Sequence, residues 1–79
     1  MEARLAHTKS GKEVFRPELD SYEELRELSD DYYGFCTACG NYQEGCEPDA
    51  QGYECEECGE PKVYGLEELA LMGYVLVRR

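Results

Sequence analysis

Phe35-Cys36-Thr37-Ala38-Cys39-Gly40 and, beyond the fifteen residues that separate Cys39 from Cys55, Cys55-Glu56-Glu57-Cys58-Gly59 decide how this chain folds. Both segments have the form C-x-x-C-G. Two residues between the cysteines let a tight turn aim both sulfurs at one metal, and the following glycine lets backbone amides come close to the thiolates. Two such turns supply a closed tetrahedral shell, the arrangement zinc favours in structural sites at Zn–S distances of about 2.3 Å. Cys36, Cys39, Cys55 and Cys58 are therefore the expected ligands of one structural Zn2+. A closed shell leaves no position for water or substrate, which argues against hydrolytic zinc chemistry. The usual enzyme signatures, a serine or cysteine nucleophile with its histidine and a Walker-type phosphate loop, are absent, so the expectation is a protein that is not an enzyme.

The rest of the composition agrees with a metal-stapled domain. Seventy-nine residues make one domain. A chain this short seldom gains more than about 3–5 kcal/mol from its apolar core, so a staple is expected. Five cysteines are present; the odd number, the C-x-x-C spacing and the lack of a signal-like apolar stretch near Met1 point to a reducing cytoplasm rather than a secreted disulfide framework. No run approaches the ~18–20 apolar residues of a membrane span, since the longest, Leu69 to Val77, is broken by Gly73. Cys46, the spare cysteine, reads as a half-buried small apolar residue on a strand, and its neighbours Glu44 and Glu47 disfavour a reactive thiolate. His7, the lone histidine, reads as a surface strand residue.

Outward from the cysteines, Asn41 to Cys46 is expected to run away from the metal, Glu47 to Gly52 to turn, Tyr53-Glu54 to return, and Lys62-Val63-Tyr64 to add a third strand. On the N-terminal side, Ala3, Leu5 and His7 alternate, Thr8 to Gly11 is turn-rich, and Val14 and Phe15 follow, which predicts a β-hairpin ending at Pro17. Ser21-Tyr22-Glu23-Glu24 is a capping-box pattern that opens a helix ending near Asp31. Tyr22, Leu25, Leu28 and Tyr32 form its expected buried stripe. On the C-terminal side, Gly65 to Met72 predicts a two-turn helix capped by Gly73, and residues 74–78 a strand that joins the hairpin.

The two C-x-x-C-G turns at one end of a short antiparallel sheet resemble the zinc ribbon family over about residues 34–64. The wider pattern, from Cys39-Gly40 through Glu47-Pro48-Asp49-Ala50, Tyr53 to Gly59 and Val63 to Leu69, is similar to small uncharacterised zinc-ribbon proteins of bacteria and their phages. The expected architecture is α+β in a single domain: a hairpin and helix over 1–33, a zinc ribbon over 34–64, and a helix with terminal strand over 65–79.

Charge directs the choice of partner. The net charge is −10, and residues 17–61 carry 14 acids against Arg26 alone. Such a surface attracts basic protein patches and repels phosphate. The expected function is a zinc-stabilised acidic protein-interaction module, and the phage-type resemblance implies a modulator docking on the basic surface of a host nucleic-acid-binding protein. A nucleic-acid-binding zinc ribbon is an alternative, because tyrosines at 32, 33, 42, 53, 64 and 74 offer stacking surfaces and Arg4, Lys9, Lys12, Arg16, Arg78 and Arg79 can share a face if the terminal strands pair. Polyanion affinity needs cations, however, and Lys62 is the only one near the ribbon, so nucleic acid is the weaker expectation. The paired C-x-x-C-G turns also resemble rubredoxin, which implies one iron and electron transfer. Against that stand the short interval between the pairs, Glu56 where that family usually has proline, and the absence of tryptophan.

Overall fold

The computed structural model describes residues 1–78 and shows an α+β chain with two small three-stranded sheets. In the first sheet, β1 (Glu2–His7) and β2 (Glu13–Leu19) form an antiparallel hairpin with Leu5 opposite Phe15. Its five-residue connection closes through Thr8 N–H to the Lys12 carbonyl (2.9 Å) and Lys12 N–H to Thr8 Oγ1 (3.2 Å), with Gly11 at φ +86°. The hairpin continues past Pro17 to Leu19. Phe15 N–H leaves the hairpin ladder to reach Thr37, and Pro17, two residues on, shares its orientation. The imino nitrogen therefore displaces no hydrogen bond between β1 and β2.

The terminal strand does join this hairpin, but as a short parallel addition: β6 (Leu76–Val77) pairs with Glu18 and Leu19. Ion pairs hold it there. Glu18 accepts from Arg4 Nε (2.9 Å) and from Arg78 Nε (2.7 Å), and Arg78 also reaches Glu2 and Asp20. These bonds, that from Arg4 foremost, hold the Glu18 carboxyl below its ordinary range. Arg16 donates to the carbonyls of Gly73 and Tyr74 and lies over the Tyr74 ring. The expected shared basic face is thus largely consumed within the fold at Arg4, Arg16 and Arg78; Arg79 lies outside the described residues.

Helix α1 (Tyr22–Asp30) starts on Ser21, whose Oγ accepts Glu24 N–H. The Glu24 carboxylate accepts from Asp20 N–H rather than from Ser21, so the reciprocal half of the capping box is shifted by one residue. Leu25 and Leu28 pack against Phe35, Leu66 and Leu69. Tyr22 and Tyr32 do not: they are 65% and 56% exposed. The buried stripe is narrower than the periodicity implies because Tyr22 opens the helix and Tyr32 lies beyond its end. Helix α2 (Leu66–Leu71) ends as predicted at Gly73 (φ +76°), where Gly73 and Tyr74 N–H return to the Ala70 and Leu69 carbonyls. Helix α1 ends on the same hydrogen-bond pattern, Tyr32 to Ser29 and Tyr33 to Leu28, yet its left-handed residue is Tyr32 at φ +60°.

The second sheet has the order β4-β3-β5, with β3 (Gly34–Cys36) central between β4 (Tyr42–Gln43) and β5 (Val63–Gly65), both antiparallel to it. The third strand therefore begins one residue later than read from Lys62. Tyr53 makes a single bridge to Val63 rather than a returning strand. Among the described residues, no helix is long and apolar enough to cross a membrane.

Gly34 is required for space. A Cβ there would lie 2.6 Å from Cys46 Sγ and 2.9 Å from Val63 Cγ1. Gly34→Ala should destabilise the protein by about 1–3 kcal/mol through overpacking, measured by denaturant unfolding of metal-loaded material.

Candidate metal centre

Strand β3 ends in Cys36, and β5 begins at Val63, just beyond the turn that carries Cys55 and Cys58. The antiparallel pairing of Cys36 with Val63 therefore brings two chain segments remote in sequence to one end of the sheet. The two turns are built alike. Gly40 N–H donates to the Cys36 carbonyl and Gly59 N–H to the Cys55 carbonyl, both at 2.9 Å. Ala38 N–H points to Cys36 Sγ and Glu57 N–H to Cys55 Sγ, both at 3.4 Å. Gly40 and Gly59 take φ +83° and +75°, the left-handed backbone that closes each turn.

Further bonds lock the turns together. Thr37 donates to the Lys62 carbonyl from both its N–H (3.0 Å) and its Oγ1 (3.3 Å). Gln43 of β4 donates to the Glu54 carbonyl (3.1 Å) and accepts Glu56 N–H (3.0 Å). Nothing about the residue types Thr37 and Gln43 marks them in the sequence; their importance arises only once strand pairing sets them against the second turn. The first sheet docks on the same centre through Phe15 N–H to the Thr37 carbonyl (2.8 Å), with Ala3 and Phe15 packed over Gly40.

The four predicted sulfurs converge. Cys36, Cys39, Cys55 and Cys58 place their Sγ atoms within 4.8 Å of one another, with Cys36–Cys58 at 3.7 Å and Cys39–Cys55 at 3.6 Å. All are free thiols, far outside the ~2.05 Å of a disulfide. A tetrahedron with metal–sulfur bonds of about 2.3 Å has edges of about 3.8 Å, so the spacing suits a single ion. Cys36 and Cys55 are buried, Cys39 is half-buried and Cys58 is exposed, so the centre lies close to the surface.

As thiols, these groups are poorly matched to one another. Burial pushes the Cys36 thiol up and the Cys39 thiol up to about 12. Burial also acts on Cys55, but the N–H groups of Cys58 and Glu57 and the adjoining sulfurs outweigh it and bring that thiol down to about 7. A bound cation resolves the mismatch, because it favours every thiolate at once.

Cys46 stands apart from the four. It is not half-buried on a strand but 1% exposed in the connection between β4 and β5. Its N–H donates to the Tyr32 carbonyl (2.8 Å), and its thiol is pushed up by burial and by Glu47 and Glu56. Packing beside Gly34 and Val63 explains its burial better than any reactivity. His7 is exposed at the end of β1.

Neither a protein-family model, nor a curated protein, nor a solved structure matches the chain. The class that the geometry defines is therefore a small α+β chain with a four-cysteine centre able to hold a metal ion.

Cys→Ser at any of the four positions should lower the bound metal measured by elemental analysis. Cys46→Ala should leave the metal intact and cost about 1–2 kcal/mol for the lost buried sulfur. Because Cys36 and Cys39 must lose protons that their metal-free pKa values retain at neutrality, binding at pH 7 should release about two or more protons. Affinity should rise with pH and metal should dissociate on acidification; calorimetry in buffers of different ionisation enthalpy checks both.

Proposed function

We propose that the ion is zinc, that the chain is a zinc ribbon, and that it serves as a non-catalytic protein-interaction module which docks on a basic protein surface. The observation that carries the interaction reading is an acidic, tyrosine-bearing face around the junction of α1 and β4. Tyr42 is 53% exposed there. Tyr33 meets Tyr42 edge-on at 6.0 Å, and its hydroxyl donates to Glu44. Tyr33, Tyr42, Glu44, Glu56 and Glu57 line one shallow groove of this face. Tyrosine supplies contact area at low entropic cost, and the carboxylates steer a cationic partner towards it.

Tyr32 adds a second argument. A left-handed tyrosine costs roughly 1 kcal/mol relative to the glycine that ends α2, and its ring packs into no apolar cluster. A residue that opposes stability and faces solvent is well explained by a contact made outside the chain.

With 14 acids in residues 17–61, the partner class is a protein with a basic surface, such as a nucleic-acid-binding protein of a bacterial host if the phage-type resemblance indicates origin. A cytoplasmic location fits a centre of free thiols. Iron in the same sulfur shell would make concentrated protein red, whereas zinc leaves it colourless.

Capture of proteins from a bacterial lysate at low and high salt tests the reading. A specific basic protein should be recovered at low salt and lost at high salt, and Tyr42→Ala with Glu56→Gln should abolish recovery. Tyr32→Gly should raise stability by about 0.5–1 kcal/mol while weakening capture. Salt-indifferent recovery, or capture unchanged in these variants, contradicts the proposal.

A further inference from the structure

A second surface has the opposite character. Between the hairpin connection, the first cysteine turn and the end of α2 lies a half-open groove of about 510 Å³. Lys12 and Lys62 line it together with Thr37, Tyr64, Met72 and Tyr74. An adjoining groove of about 350 Å³ shares Met72 and Tyr74 as walls and adds Lys9 and Arg16. Across the two, four cations face two carboxylates, Glu13 and Glu60. The first groove balances Lys12 and Lys62 against Glu13 and Glu60, and Lys9 and Arg16 of the adjoining groove make the combined surface net positive in a chain of net charge −10. Lys9, Lys12 and Lys62 make no ion pair among the described residues, unlike Arg4 and Arg78.

The groove is also preorganised. Lys12 sits in the hydrogen-bonded hairpin connection, and the Lys62 carbonyl is held twice by Thr37. Tyr74 is fixed by its N–H to the Leu69 carbonyl, and Arg16 lies over its ring with the guanidinium carbon 5.9 Å from the centroid. Aromatic walls beside ammonium groups that make no ion pair among the described residues match a ligand with a planar apolar body and an anionic end. The volume falls in the range of small-molecule sites, roughly 300–1,000 Å³.

We infer that this groove binds a nucleoside monophosphate unit, with the base against Tyr64, Met72 and Tyr74 and the phosphate at Lys12 and Lys62. Aromatic rings accept any base by stacking, and lysine serves phosphate as a point charge. A ligand of this size brings about two negative charges, which meet Glu13 and Glu60 in the groove wall as well as the lysines, while acids farther off than a Debye length of ~8 Å are screened. A long polyanion lacks that protection. The same chemistry is offered by a free nucleotide and by the end of a single strand.

The test is an amide-shift titration of the full, metal-loaded chain with AMP, adenosine, inorganic phosphate, tetra-adenylate and triglutamate. AMP should shift Thr8, Lys12, Thr37, Lys62, Tyr64 and Tyr74 saturably, and adenosine and phosphate alone should bind at least about tenfold more weakly. Lys12→Ala with Lys62→Ala should weaken AMP by about tenfold at unchanged metal content. Lys12→Glu alone, on an exposed connection, should weaken it with the fold intact. AMP binding tighter than tetra-adenylate identifies the free nucleotide as the source and the reverse order a strand end, and either supports the site. Absence of saturable shifts at millimolar AMP, shifts confined to other residues, binding unchanged in the lysine variants, or triglutamate binding as well as AMP would overturn the inference.

Discussion

Four sulfur atoms placed at one end of a three-stranded sheet are the constraint on which the rest of this molecule depends. Strand β3 leads into the first cysteine turn and β5 leads out of the second, so their pairing fixes the distance between the turns. The apolar residues behind them, Phe35, Val63, Leu66 and Leu69 among them, are too few to hold so many connecting segments without help. A cation held inside the sulfur shell would join the two turns more strongly than the few strand bonds alone can.

The hairpin and β4 attach to that end of the sheet. The hairpin reaches it through Phe15 and Thr37 and through Ala3 over Gly40, while Gln43 ties β4 to the second turn. Helices α1 and α2 close the other side around Phe35 and Leu69. Arg78 then draws the chain's last described strand onto Glu18, Glu2 and Asp20. The acidic tyrosine face and the lysine groove are thus borne by one scaffold, and disorder of the sulfur turns would disturb both.

The cysteine set was readable from spacing because C-x-x-C-G encodes a local turn, and local turns need no knowledge of the remainder of the fold. Helix α2 and its Gly73 cap were readable for the same reason. Tyr22 and Tyr32 were not: period 3.6 places them on the stripe, but a residue's distance from the helix ends decides whether anything lies opposite it. Cys46 also escaped, since its burial depends on Gly34 lacking a side chain across the sheet. The direction of β6 and the consumption of Arg16 and Arg78 in internal bonds are tertiary outcomes with no local signature.

X-ray absorption at the metal edge of the purified, metal-loaded protein addresses the centre most directly. Four sulfur scatterers at about 2.3 Å around one ion, zinc in the proposed reading, is the result that the account predicts. A mixed shell with nitrogen or oxygen ligands, or a folded chain whose sulfurs bind no ion, would contradict it.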